Sequence, residues 1–146
     1  MPGWAWVFLA GNFCLMASSQ FLFVTFGSWL EDEFDFTAAT LSAVVFGLGL
    51  GELLSSITAA RRTDRWGKER SAAFGALLMV PSALVLAAWN DVLAVGLVVL
   101  VIAICGFEFA IVSSIAIGST LVPGAPARGM GMMMGAGTLG RAAASV

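Results

Sequence analysis

Apolar residues run along this chain in five long stretches separated by short polar breaks. The first, about 4–30, exceeds the roughly 20 residues that cross a hydrocarbon core. The second covers about 38–60, the third 71–89 and the fourth 92–122; a fifth begins at 129 and is still apolar at 146. Stretches of this length predict helices, because a helix satisfies its own backbone polar groups in lipid. The expected fold is therefore all-α: a polytopic membrane helical bundle with four complete transmembrane helices and a partial fifth. The first stretch lacks a basic start and is too long for a secretory signal, so it reads as a span.

The breaks predict how the spans connect. Glu31 to Asp35 reads as a wholly acidic loop, and Thr37 to Thr40 offers an N-cap to the second helix. Pro81 interrupts the third stretch, where a kink near Met79 to Ser82 is expected and not an end. Trp89-Asn90-Asp91 is short enough to force an antiparallel helical hairpin. The fourth stretch is longer than a perpendicular span needs, so it should tilt or project beyond the hydrocarbon, closing at Pro123-Gly-Ala-Pro126. Gly47 and Gly51 form a small-x-x-x-small pair for a close helix approach, and Gly131, Gly135, Gly137 and Gly140 give the fifth segment the same character. Gly47-Leu-Gly-Leu-Gly51 is no nucleotide loop, because no strand precedes it.

Composition sharpens this picture. Of 146 residues, 60% are hydrophobic and 11% charged, which leaves too few charges to cover a water-facing exterior. The net charge of -2 points to no nucleic-acid partner, but its distribution is informative. Five of the seven basic residues fall between Arg61 and Arg70, and the breaks alternate acidic, strongly basic, acidic, weakly basic. Basic loops are retained on the cytoplasmic side, so the N-terminus should be cytoplasmic and Glu31 to Asp35 and Asn90-Asp91 outside. Trp4, Trp6, Trp29, Trp66 and Trp89 all fall at the resulting interfaces, as an aromatic belt requires. Cys14 and Cys105 lie within apolar stretches and suggest no disulfide framework. With no histidine, His-dependent triads and the common zinc sites are excluded; no metal, cofactor or catalytic constellation is expected, and an enzyme is the least favoured reading.

Two carboxylates fall inside predicted spans. Glu108 lies near the middle of the fourth, between Phe107 and Phe109, and Glu52 lies in the inner half of the second. An ionised group at mid-bilayer costs about 2.5–3.5 kcal/mol on insertion scales, so such groups face the bundle interior or a cavity. Protonation lowers that cost, which makes both residues proton-coupling candidates. For Glu108, a structural role, hydrogen-bonded to a serine or to backbone on an adjacent helix, competes evenly with the carrier role. For Glu52 the structural role is preferred, because loop arginines lie about two turns away. Asn12 and Ser19 share a helical face in the first span and, with Gln20, are candidates for lining a substrate cavity. A neighbouring helix satisfying them is an equal alternative.

Asp64-Arg65-Trp66-Gly67-Lys68, followed by Arg70, resembles the Asp-Arg-x-Gly-Arg/Lys signature between the second and third helices of each half of major facilitator superfamily transporters. Gly106-Phe-Glu-Phe109 through Leu121-Val-Pro123 and Arg128-Gly129 is similar to the tenth helix and following loop of bacterial drug and sugar efflux members. Phe26-Gly-Ser-Trp-Leu30 is similar to the end of their seventh helix. The resemblance implies helices seven to eleven, half of a facilitator-superfamily fold, in a fragment whose amino-terminal half is a missing partner. It also implies proton-coupled export of a small organic molecule by alternating access across the cell membrane. Under it, Asp64, Arg65, Gly67, Lys68 and Arg70 form a cytoplasmic latch that holds one access state. The competing expectations are a small dimeric multidrug transporter subunit and a membrane assembly protein without transport activity.

Overall fold

The computed structural model describes residues 3–145, and Val146, the last residue of the expected fifth segment, lies outside them. Among the described residues there are five helices and no strand: α1 Gly3–Phe34, α2 Ala38–Trp66, α3 Lys68–Ala88, α4 Leu93–Gly118 and α5 Pro126–Ala144. Helices α1 to α4 are long and apolar enough to cross a membrane. The all-helical, multi-pass architecture expected from the sequence is the one observed.

The acidic and the basic breaks are shorter than expected, because most of their residues are helical. The acidic stretch is no loop: Glu31 to Phe34 form the last turn of α1. The helix stops at Asp35, whose φ of 53 puts it in the left-handed region, while Phe36 N–H reaches back to the Leu30 carbonyl at 3.3 Å. Asp35 N–H also bonds the Glu31 carbonyl at 3.1 Å, the five-to-one closure of an αL helix end, with an Asp where glycine is usual. Thr37 then caps α2 as expected, its hydroxyl accepting from Thr40 N–H at 3.4 Å.

The basic stretch is helical on both sides of a single residue. Gly67, at φ 89 and ψ 134, separates α2 from α3 in a conformation that side chains disfavour. Arg65 in the last turn of α2 and Glu69 in the first turn of α3 each match the sign of the adjacent helix dipole. Pro81 lies inside α3 without ending it. It removes the N–H that would serve the Leu77 carbonyl, and Ser82 Oγ donates to the next carbonyl, Leu78, at 2.8 Å. Helix α4 ends at Gly118, short of the expected 122, and α5 begins at Pro126, ahead of the expected 129. Between them Gly124 turns the chain at φ 74, and Pro126 starts the new helix where a missing N–H costs nothing.

Helix α4 is the hub. Half of its spanning window is covered by other helices, against 22% or less for α1 to α3. Against α3 it packs backbone to backbone: a Cβ on Gly75 would lie 2.5 Å from Ala110 N and the Gly106 carbonyl, and one on Gly106 would lie 2.9 Å from the Gly75 carbonyl. Against α2 and α1 it contributes Leu100 and Ile104 to a core that includes Leu48, with Leu22, Phe23 and Phe26 around it. A second core joins Ala5 and Leu9 of α1 to Met133 of α5 and Leu121.

The glycine expectations divide. Gly137 and Gly140 admit α1, the latter against the Phe13 backbone, whereas Gly131 and Gly135 meet nothing. Gly51 faces Cys105, but its expected partner Gly47 is open, so that pair makes no helix crossing.

Candidate functional site

Helix α2 turns Glu52, Ser55, Ser56 and Thr63 toward α4, and three side-chain bonds join the two helices. Ser55 Oγ donates to the Cys105 carbonyl at 2.6 Å, Ser56 Oγ donates to Glu108 Oε1 at 2.5 Å, and the Thr63 and Ser113 hydroxyls lie 2.8 Å apart. Partner numbers rise together along both helices, so α2 and α4 run parallel. The seam between them is polar through the middle of otherwise apolar elements.

Both intramembrane carboxylates belong to this seam. Glu108 lies within about one turn of the midpoint of α4. Glu52 sits at the midpoint of α2, one turn before Ser56, and within reach of the Glu108 charge. Because α2 continues to Trp66, Arg61 lies about 14 Å further along the axis from Glu52, and among the described residues Glu52 forms no ion pair with it. Neither α4 nor the part of α2 before Arg61 carries a basic residue. For Glu108, the serine on an adjacent helix is Ser56, which α2 supplies. The serine partners were the missed residues: Ser55 and Ser56 follow Glu52 by three and four positions, a spacing that marks one helical face.

A separate apolar cleft of about 1050 Å³ opens between α1 and α3, walled by Phe21, Phe26, Trp29, Met79 and Leu84 and floored by Leu100 and Ala103 of α4. Its polar edge comes from Ser18, Thr25 and Asn90. The three residues expected to line a cavity lie elsewhere. Asn12 is buried in the α1–α5 seam, where Nδ2 donates to the Met133 carbonyl at 2.8 Å. Ser19 is buried and donates to the Met16 carbonyl of its own helix at 2.9 Å, and Gln20 is half-buried outside the cleft. One step of register decides this: Ser18 faces the cleft and Ser19 faces protein, and no polar pattern in the sequence separates them.

At the basic corner Asp64, Arg65 and Arg70 are exposed, while Gly67 and Lys68 are half-buried. The ion-pair latch implied by the resemblance is not formed within this chain among the described residues. Arg62 instead lies over the Trp66 ring, 5.8 Å from its centroid. Comparison of the chain with models of protein families, with curated proteins and with solved structures returned no match.

Proposed function

We propose that this chain is a transmembrane bundle of a proton-coupled exporter of small organic molecules, embedded in the cell membrane with its N-terminus cytoplasmic. The observation that carries this reading is the α2–α4 seam: two acids at mid-helix depth, Glu52 and Glu108, the latter bonded by the Ser56 hydroxyl, in a stretch free of any basic residue. Like charges on facing helices repel in a medium of low dielectric, and a bound proton relieves the repulsion. Ser56 donates to the ionised Glu108 carboxylate. Once Glu108 is protonated it carries a donor of its own, and the bond between α2 and α4 exchanges direction or opens. A proton thereby biases the fit of one helix against another, which is what coupling to a conformational change requires.

In this reading a second bundle, from the same protein or another copy, supplies the opposite wall of a substrate site near the midplane. The exposed charges of Asp64, Arg65 and Arg70 engage that bundle in one access state and release it in the other. Proton flux into proteoliposomes of the intact protein, read by an enclosed pH-sensitive dye, tests the proposal. Glu108→Gln is expected to abolish substrate-dependent flux, and Asp64→Asn to slow it. Undiminished flux in Glu108→Gln would overturn the carrier role, and absence of flux in the unmodified protein would favour an assembly protein without transport activity.

A further inference from the structure

The corner where α2 meets α3 holds an open recess of about 510 Å³, lined by Arg65, Trp66, Arg70, Ser71 and Phe74. Its two guanidinium groups are exposed. Its aromatic side is braced from behind: Trp66 and Phe74 each stand 6.1 Å, centroid to centroid, from the buried Phe109 of α4. Ser71, also in its wall, is 1% exposed, and its hydroxyl has no hydrogen-bond partner. A buried hydroxyl without a partner is costly and calls for an acceptor or donor that the protein does not supply. Acidic groups nearby are Asp64 and Glu69, both exposed, against Arg61, Arg62, Arg65, Lys68 and Arg70, which leaves the corner positive.

We propose that this recess binds the phosphate group of an anionic phospholipid. Guanidinium groups offer paired donors to phosphate oxygens, and a serine hydroxyl adds a further one. A lipid is favoured over phosphate from solution because the recess lies between two membrane-spanning helices, and half-exposed Trp66 and Phe74 are where interfacial aromatics meet headgroups and upper acyl chain. The site is distinct from the α2–α4 carboxylate seam and does not depend on transport.

Native mass spectrometry of the intact protein released from mixed micelles of phosphatidylglycerol and phosphatidylcholine tests this. The unmodified protein is expected to retain phosphatidylglycerol preferentially. Each of Arg65→Gln and Arg70→Gln should lower that preference about five-fold, the effect of one basic residue at an anionic surface. Ser71→Ala should lower it by a smaller factor with all charges kept. Arg61→Gln with Arg62→Gln removes equal charge outside the recess and should leave most of the preference. An equal loss in that control, or no loss in Arg65→Gln with Arg70→Gln, overturns the site. Displacement of the lipid by millimolar inorganic phosphate would assign the recess to a soluble anion and overturn the lipid. Helix content by circular dichroism, unchanged in the variants, secures the comparison.

Discussion

Gly75 and Gly106 mark where α3 and α4 meet without side chains between them. A methyl on Gly75 would have to displace backbone atoms of Ala110 and Gly106, which cannot rotate away. Gly75→Ala is therefore expected to destabilise the bundle by about 1–3 kcal/mol, the usual cost of overpacking. Gly47→Ala, at an open position on α2, should be neutral or slightly stabilising because alanine favours helix. Unfolding in detergent followed by circular dichroism checks both, and equal effects would contradict the packing described here. In sequence these glycines look alike. Which of them is a contact depends on the rotation of each helix about its axis, which only neighbouring helices settle. The same holds for Ser18 and Ser19, adjacent in the chain yet facing a cleft and a buried seam.

At the scale of the element, the α2–α3 corner rests on one residue. Gly67 adopts φ 89 and ψ 134, a region that costs a side chain about 1–3 kcal/mol. Gly67→Ala should lower the unfolding midpoint, and it should also disturb the recess formed by Arg65 and Arg70 and weaken lipid retention there. Loss of stability with lipid preference intact would separate the two effects and argue against the shared corner. Helix α3 carries a second irregularity at Pro81, where Ala would restore an N–H for the Leu77 carbonyl. Pro81→Ala is expected to stabilise α3 unless the cleft that its neighbours Met79 and Leu84 wall depends on that break. Unfolding in detergent reports the balance. Apolar run lengths indicate these elements well, but equating charge with loop misplaces the ends of α1 and α2. Charged residues at a helix end are solvated just as well as in a loop, so Glu31 to Phe34 stay helical although their carboxylates oppose the dipole there, and Arg61 to Trp66 stay helical with Arg65 matching it.

Across the whole molecule, contacts between helices report their directions. Ser56 with Glu108 and Thr63 with Ser113 make α2 and α4 parallel; Gly75 with Gly106 and Ala110 makes α3 antiparallel to α4. Trp29 Nε1 donates to the Asn90 carbonyl at 3.2 Å, which ties the end of α1 to the α3–α4 turn at one face of the bundle. A single cysteine introduced at Asp32 or Asn90, with Cys14 and Cys105 replaced by Ala, is therefore expected to react with an impermeant maleimide from one side of the membrane. Cysteine at Arg62 or Arg128 should react from the other, and labelling of Asp32 and Arg62 from the same side would refute the alternation.

The number of helices, their membrane-spanning character and the cap at Thr37 were determined by sequence alone, because each depends on local composition and length against a fixed bilayer thickness. The two intramembrane acids were equally visible, since a carboxylate within an apolar run stands out wherever the run folds. That they face each other's helices, with Ser55 and Ser56 between, was decided only by tertiary structure. So were the location of the cleft between α1 and α3 and the partnerless hydroxyl of Ser71. Such features arise where helices distant in sequence converge, and the rotation that brings two faces together is set by the packing of all the helices at once.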